Sequence, residues 1–128
     1  MGALVVFSSD VRLMADFYSA VLEMAPTKSP SDSAKDIRLK NDADEVLLHS
    51  IPASIAKTIL IESPPEARED SAIKPVFDVR SLTNALEQVS LKGGVITTRA
   101  FELDGLSRHD VLDPEGNVIQ LRSPSSTS

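Results

Sequence analysis

Asp113-Pro114-Glu115-Gly116-Asn117-Val118-Ile119-Gln120-Leu121 is the most informative stretch of this 128-residue chain. Pro114 fixes φ early in a turn, and Gly116 or Asn117 can take the positive φ that closes it. The stretch therefore predicts a hairpin loop joining a strand at about 108–112 to one at 118–122. Working back, residues 95–98 form a further strand candidate, and Gly93 and Gly94 supply the left-handed residue that ends a helix. That helix starts after Ser81, an N-cap, and carries Leu82, Ala85, Leu86 and Val89 on one face. Residues 74–79 make the strand before it.

The first half has the same order. Residues 3–7 are a short apolar run that reads as a buried strand. Ser8, Ser9 and Asp10 are candidate N-caps for a helix that places Met14, Phe17 and Val21 on one face. Leu13 and Leu22 widen that stripe, and Pro26 is expected to end the helix. Residues 27–36 are polar and read as a loop, followed by strand candidates at 36–39, 45–51 and 57–62. Residues 64–71 form a connector, so the expected domain is 1–122, with repeats at about 1–63 and 72–122 and a disordered tail at 123–128.

Aligning the helix starts sets Ala3 opposite Lys74. Strand alternation puts Ala3, Val5 and Phe7 on one face and Leu4 and Val6 on the other. In the second half, Lys74, Val76 and Asp78 share one face and Pro75, Phe77 and Val79 the other. A sheet covered by a helix on one face needs its other face closed by a second sheet, a ligand, or both. The expected fold is α+β: two βαβββ modules whose mixed sheets curl around a cavity, helices outside. That closure comes from one chain or across a dimer, and a homodimer is expected, because two open sheets together close cavities that one leaves exposed.

Composition removes several functions. There are 13 basic and 19 acidic residues, a net charge of −6, and the basic residues are scattered singly. A polyanion is repelled by such a field, and four Phe, one Tyr and no Trp offer no platform for stacking bases, so no nucleic-acid role is expected. The apolar runs are far shorter than the roughly 18 residues of a membrane span. No signal peptide is read after Met1, and the absence of Cys excludes disulfides and thiolate metal sites. A cytoplasmic protein without membrane partners is the expectation.

The segment Asp10-Val11-Arg12-Leu13 with Phe17-Tyr18 and Val21-Leu22 resembles the first-helix pattern of the vicinal oxygen chelate superfamily. This group includes glyoxalase I, bleomycin-resistance proteins, fosfomycin-resistance proteins and extradiol dioxygenases. Residues 113–121 resemble its closing hairpin, and Phe77-Asp78-Val79 with Gly93-Gly94 fits its second repeat. The resemblance covers nearly all the chain except residues 27–36 and the tail. Glu23 departs from it, because the family usually has Gly after Val-Leu.

The resemblance implies a divalent metal held by His and Glu side chains and acting as a Lewis acid. Carried over, those positions fall on Ala3, Lys74, Gln120 and near Leu60. Ala and Leu have no donor atom, Lys is a cation, and Gln is a weak neutral donor, so no metal cofactor is expected. His49 and His109, read as equivalent positions in the two halves, could join Glu62 or Asp110 in a site of other geometry; the simpler reading makes each a hydrogen-bonded strand residue. Ser107, His109 and Asp110 form no triad, because strand neighbours point to opposite faces. Arg68 reads as a solvated connector residue.

The expected ligand-binding residues are Phe7, His49, Lys74, Val76, His109 and Gln120, with Val5 completing an apolar wall. They would enclose a small, partly apolar organic ligand. Two functions remain open: a metal-independent binding module, or an enzyme of the lyase, dioxygenase or glutathione-transferase type with non-standard ligands or a base such as Lys74 or His49.

Overall fold

The computed structural model describes residues 2–30, 32–51 and 73–125. The first module contains β1 (Gly2–Ser8), α1 (Val11–Leu22), β2 (Ala25–Thr27), β3 (Ile37–Lys40) and β4 (Asp44–Ser50). The second contains β5 (Val76–Asp78), α2 (Leu82–Leu91), β6 (Val95–Leu103), β7 (Leu106–Leu112) and β8 (Val118–Pro124). Each sheet is mixed and four-stranded, in the orders β1-β4-β3-β2 and β5-β8-β7-β6. The first and last strands of each module run parallel, and the remaining pairs are antiparallel. This is the expected α+β pair of βαβββ modules, and the two sheets are not closed into a barrel within the chain.

Helix α1 forms because its apolar residues recur at helical spacing and Asp10 caps it, accepting from the Leu13 amide at 3.1 Å. Its buried face, with Met14, Phe17, Tyr18 and Val21, packs on β3 and β4, where Leu39, Val46 and Leu48 are buried. Leu13, expected on that face, is instead exposed. The helix ends at Leu22 and not at Pro26. Glu23 takes a left-handed conformation (φ 53°) that Gly would adopt without strain, and Met24 N–H closes the turn on Ser19 O at 3.1 Å. Pro26 lies in β2, a three-residue edge strand absent from the sequence reading. An edge strand tolerates a Pro because one side of its backbone needs no partner.

Helix α2 is capped by Ser81, which accepts from Asn84 N–H at 3.2 Å, and buries Leu82, Ala85 and Val89. It packs on β6, β7 and β8 and against α1, so one apolar cluster serves both modules. Two points concern the strands expected from sequence. Module 1 already has its strands at β2, β3 and β4, and the strand expected at 57–62, like Leu60, Glu62, Arg68 and the connector, lies outside the described residues. Strand β8 continues through Ser123, which is buried, and Pro124, both assigned to the tail from sequence.

The 113–117 hairpin does more than turn the chain. Its Gly116 has φ 86° and donates to Asp113 O at 3.0 Å. The buried Glu115 carboxylate reaches across to the start of α1. Its Oε2 accepts from Ser8 Oγ at 2.6 Å and from Asp10 N–H at 3.3 Å, and its Oε1 accepts from Ser9 N–H and Ser9 Oγ, both at 3.1 Å. A carboxylate there satisfies amides the helix leaves unpaired and meets the positive end of its dipole. Beside it, Tyr18 donates to Asp113 Oδ2 at 2.7 Å, while Asp113 also accepts from the Glu115 and Asn117 amides and from Asn117 Nδ2. Burial pushes the Asp113 carboxyl up, against the lowering effect of the Tyr18 and Asn117 hydrogen bonds.

Gly94 sits where these parts meet. A Cβ there would lie 2.5 Å from both Leu112 O and Phe17 Cε2. Gly94→Ala is therefore expected to destabilise the protein by about 1–3 kcal/mol, read as a lower midpoint in urea at unchanged m-value.

Burial, then the negative charges of Asp113 and Glu115, hold the Tyr18 phenol well above its ordinary value of 10.0. Its folded pKa is raised, so the stability it contributes is complete below that ordinary value and is lost as pH rises beyond it. Tyr18 is the only tyrosine of the chain, so near-ultraviolet tyrosinate absorbance reports on it alone. Ionisation should coincide with alkaline unfolding seen by circular dichroism. Reversible ionisation near pH 10.0 in the folded protein would contradict the buried Tyr18–Asp113 contact.

Candidate functional site

Each sheet has one face on the helices and one face left uncovered by the described residues. Alternation assigns the residues. On β1, Val6 and Ser8 are buried, whereas Val5 and Phe7 are 54% and 63% exposed. The register sets Val5 beside Leu47 and Arg38, and Phe7 beside His49. On the second sheet, Phe77, Val111 and Leu121 are buried, and the uncovered face carries Val76, Gln120 and Asp110 in one row and Asp78, Arg122 and Arg108 in the next.

The first face is built around His49. Its ring meets Phe7 edge-on at 5.5 Å between centroids, and its Nδ1 lies 3.0 Å from Asp36 Oδ2. Asp36 Oδ1 accepts from Ser50 N–H at 3.1 Å. Burial works to raise the Asp36 carboxyl, but the Ser50 amide and His49 prevail and hold it below the usual 3.8. Arg38 is neutralised by Asp32 at 2.7 Å and Glu45 at 3.0 Å.

On the second face, Lys74 Nζ is 2.8 Å from Asp110 Oδ2, and Arg99 Nε lies 3.4 Å from the same oxygen. Gln120 Nε2 donates to Asp110 Oδ1 at 3.0 Å, and Arg108 donates to Gln120 Oε1 at 3.1 Å. Asp110 and Gln120 are buried beneath the cations. One row on, Arg122 pairs with Asp78 at 2.6 Å.

The structure places Phe7 and His49 on the first uncovered face, and Lys74, Val76 and Gln120 on the second. No hydrogen bond, ion pair or ring contact among the described residues joins the two groups. His109 belongs to neither. It shares its row with Leu121 on the helix-covered face, and its Nε2 lies 2.6 Å from Thr97 O. Nor does it match His49: β7 is the counterpart of β3, and β4 that of β8. The sequence reading missed Arg99 and Arg108, and gave Asp110 only a metal role. The hairpin held the signal for two of them, because a five-residue loop pairing Leu112 with Val118 also pairs Asp110 with Gln120 and Arg108 with Arg122.

The donor set does not fit the divalent metal that the resemblance implies. The matching registers Val5↔Leu47 and Val76↔Gln120 make Leu47, not Leu60, the counterpart of Gln120. Ala3 and Leu47 carry no donor atom, the Lys74 ammonium is itself a cation bound to Asp110, and Gln120 is engaged by Asp110 and Arg108. A site from His49, His109 and Asp110 is not assembled, and no group of three His, Asp or Glu among the described residues is placed to hold a metal. A groove of about 880 Å³ lies elsewhere, between the end of α1 and the start of α2, with Glu23, Asn41, Asp42, Arg80 and Asn84 among its lining residues.

No family model matches the chain, and no curated protein does. Solved structures do. A glyoxalase/bleomycin resistance protein/dioxygenase family enzyme from Burkholderia phytofirmans PsJN aligns with a TM-score of 0.66 at 18% identity, covering 95% of this chain and 96% of that one. The fosfomycin resistance protein FosX from Listeria monocytogenes gives 0.67 at 10% identity, over 98% and 93% of the two chains. An integron cassette protein from V. cholerae gives 0.61 at 22% identity, over 96% and 93%. At these identities the likeness is one of fold. The chain has the paired βαβββ fold of the glyoxalase, bleomycin-resistance and dioxygenase proteins, the fold of the vicinal oxygen chelate superfamily.

Proposed function

We propose that this protein binds a small, partly apolar organic molecule without a metal, on the uncovered sheet faces, and that it does so as a homodimer. The observation that carries this reading is the Lys74–Asp110 ion pair at 2.8 Å, which puts a fixed ammonium where the resemblance calls for a metal ligand. Val5, Phe7 and Val76 supply exposed apolar surface, and His49, Lys74 and Gln120 supply the few polar groups that orient a ligand. Water would otherwise cover that apolar surface, and a second copy packed against the open faces removes it from solvent.

A second reading is favoured by His49. A carboxylate that orients one ring nitrogen leaves the other suited to proton transfer, so His49 held by Asp36 could serve as a base in an enzyme of the same fold. Turnover of a hemithioacetal, a catechol or fosfomycin, abolished by His49→Ala, would establish that reading in place of the first.

The binding reading predicts a dimer by light scattering at micromolar concentration and a small molecule retained in native mass spectrometry. Ligands found in a thermal-shift screen should raise the melting temperature equally with and without chelator. Lys74→Ala should weaken their binding and lower stability by about 1 kcal/mol, because it takes the nearest of three partners from a buried carboxylate that keeps Arg99 and Gln120. Binding lost on chelation would overturn the metal-independent reading, and a monomer would overturn the dimer.

A further inference from the structure

The charges on the second uncovered face do not balance. Lys74 and Arg99 both lie against Asp110, and Arg108 reaches only the neutral amide oxygen of Gln120. Asp110 is the single carboxylate paired with these three cations among the described residues, since the neighbouring Asp78 is taken by Arg122. Among the described residues two positive charges are left in excess on this face, on a chain whose net charge is −6. Arg108 is also short of acceptors: its Nε is buried and has no hydrogen-bond partner among the described residues. A buried donor left unsatisfied costs about 1–3 kcal/mol, and an anion beside the guanidinium offsets part of that deficit.

The support beneath the cations is rigid. Asp110 is held on both oxygens, by Gln120 on one and by Lys74 and Arg99 on the other, and Gln120 in turn fixes the Arg108 fork. Val76 stands beside Gln120 in the register and is 42% exposed, giving an apolar rest next to the charged groups. The overall negative field disfavours a highly charged ligand at long range, whereas within the screening length of about 8 Å the local cations dominate.

We infer that Lys74, Arg99 and Arg108, aligned by Asp110 and Gln120, form a metal-free site for the carboxylate of a small organic acid whose apolar body lies on Val76. This rests on the reading of that face as the ligand site and specifies the ligand's charge. Arg108 and Lys74 supply the charge-assisted hydrogen bonds, and Asp110 acts as a positioning residue that never touches the ligand.

The test uses benzoate and its neutral isostere benzamide, followed by the Arg108 Nε–H resonance in NMR and by thermal shift. Benzoate is expected to move that resonance saturably and to bind at least tenfold more tightly than benzamide. Lys74→Gln should weaken benzoate about tenfold and benzamide by a smaller factor, and Arg108→Gln does the same should Lys74→Gln fail to fold. The inference is overturned by equal binding of benzoate and benzamide, by unchanged benzoate affinity in the variants, by sodium chloride reproducing the shift at equal ionic strength, or by inorganic phosphate outcompeting benzoate. Equal binding of the two aromatics on this face would leave the binding reading standing and remove only the carboxylate. Absence of any saturable aromatic binding at this face, with no molecule retained in native mass spectrometry, would remove both.

Discussion

The reach of Glu115 into the start of α1 is the contact on which the arrangement of the two modules depends. A buried carboxylate is costly unless every oxygen is engaged, and here four donors from Ser8, Ser9 and Asp10 engage it. The same hairpin receives the Tyr18 hydroxyl through Asp113, about two turns further along α1. Two segments more than ninety residues apart thus lock one helix to the other module's hairpin, and Gly94 leaves the room that lets Phe17 and Leu112 approach. The apolar cluster can then run unbroken from Val46 through Phe17 and Val89 to Ile119.

That packing has a consequence for function. With both helices spent on the shared core, the opposite face of each sheet is left without cover from the described residues. The two faces differ in character. The first presents Val5, Phe7 and a His49 tethered to Asp36, whereas the second presents a cationic layer over Asp110 and Gln120. Chemistry reliant on a Lewis-acidic metal requires several anionic or imidazole donors converging on one point, and the positions that would provide them carry a methyl group, an isobutyl group, an ammonium and an amide. A lysine at such a position keeps a positive charge in place without any exchangeable ion, which is the physical ground of the binding role proposed above.

Much of the fold was legible because its signals are local. Asp10 and Ser81 before apolar stripes, Gly93-Gly94 after the second, and the 113–117 turn each act within a few residues. Where the reading slipped, a longer-range effect was at work. Pro26 looked like a helix stop, but the chain had already turned at Glu23, whose left-handed conformation is enforced by closure onto Ser19. Residues 25–27 then join an edge strand too short to show a pattern, and the register makes Leu47 on β4 the counterpart of Gln120. His109 was misplaced by pairing it with His49 across the repeat, although its own strand's alternation sets it with Leu121.

By itself the sequence determined the two modules, the covered and uncovered faces of β1 and β5, and the lack of donor atoms at Ala3, because period and residue chemistry are written into each segment. Tertiary structure alone decided which distant groups share a row. Pairing of β5 with β8 brings Lys74 to the Asp110, Gln120 and Arg108 that the hairpin aligns, and packing of α1 beneath the hairpin gives Glu115 its partners. These charged contacts form only after the chain has returned on itself, since ion pairs are set by distance in space and leave no periodic mark along the sequence.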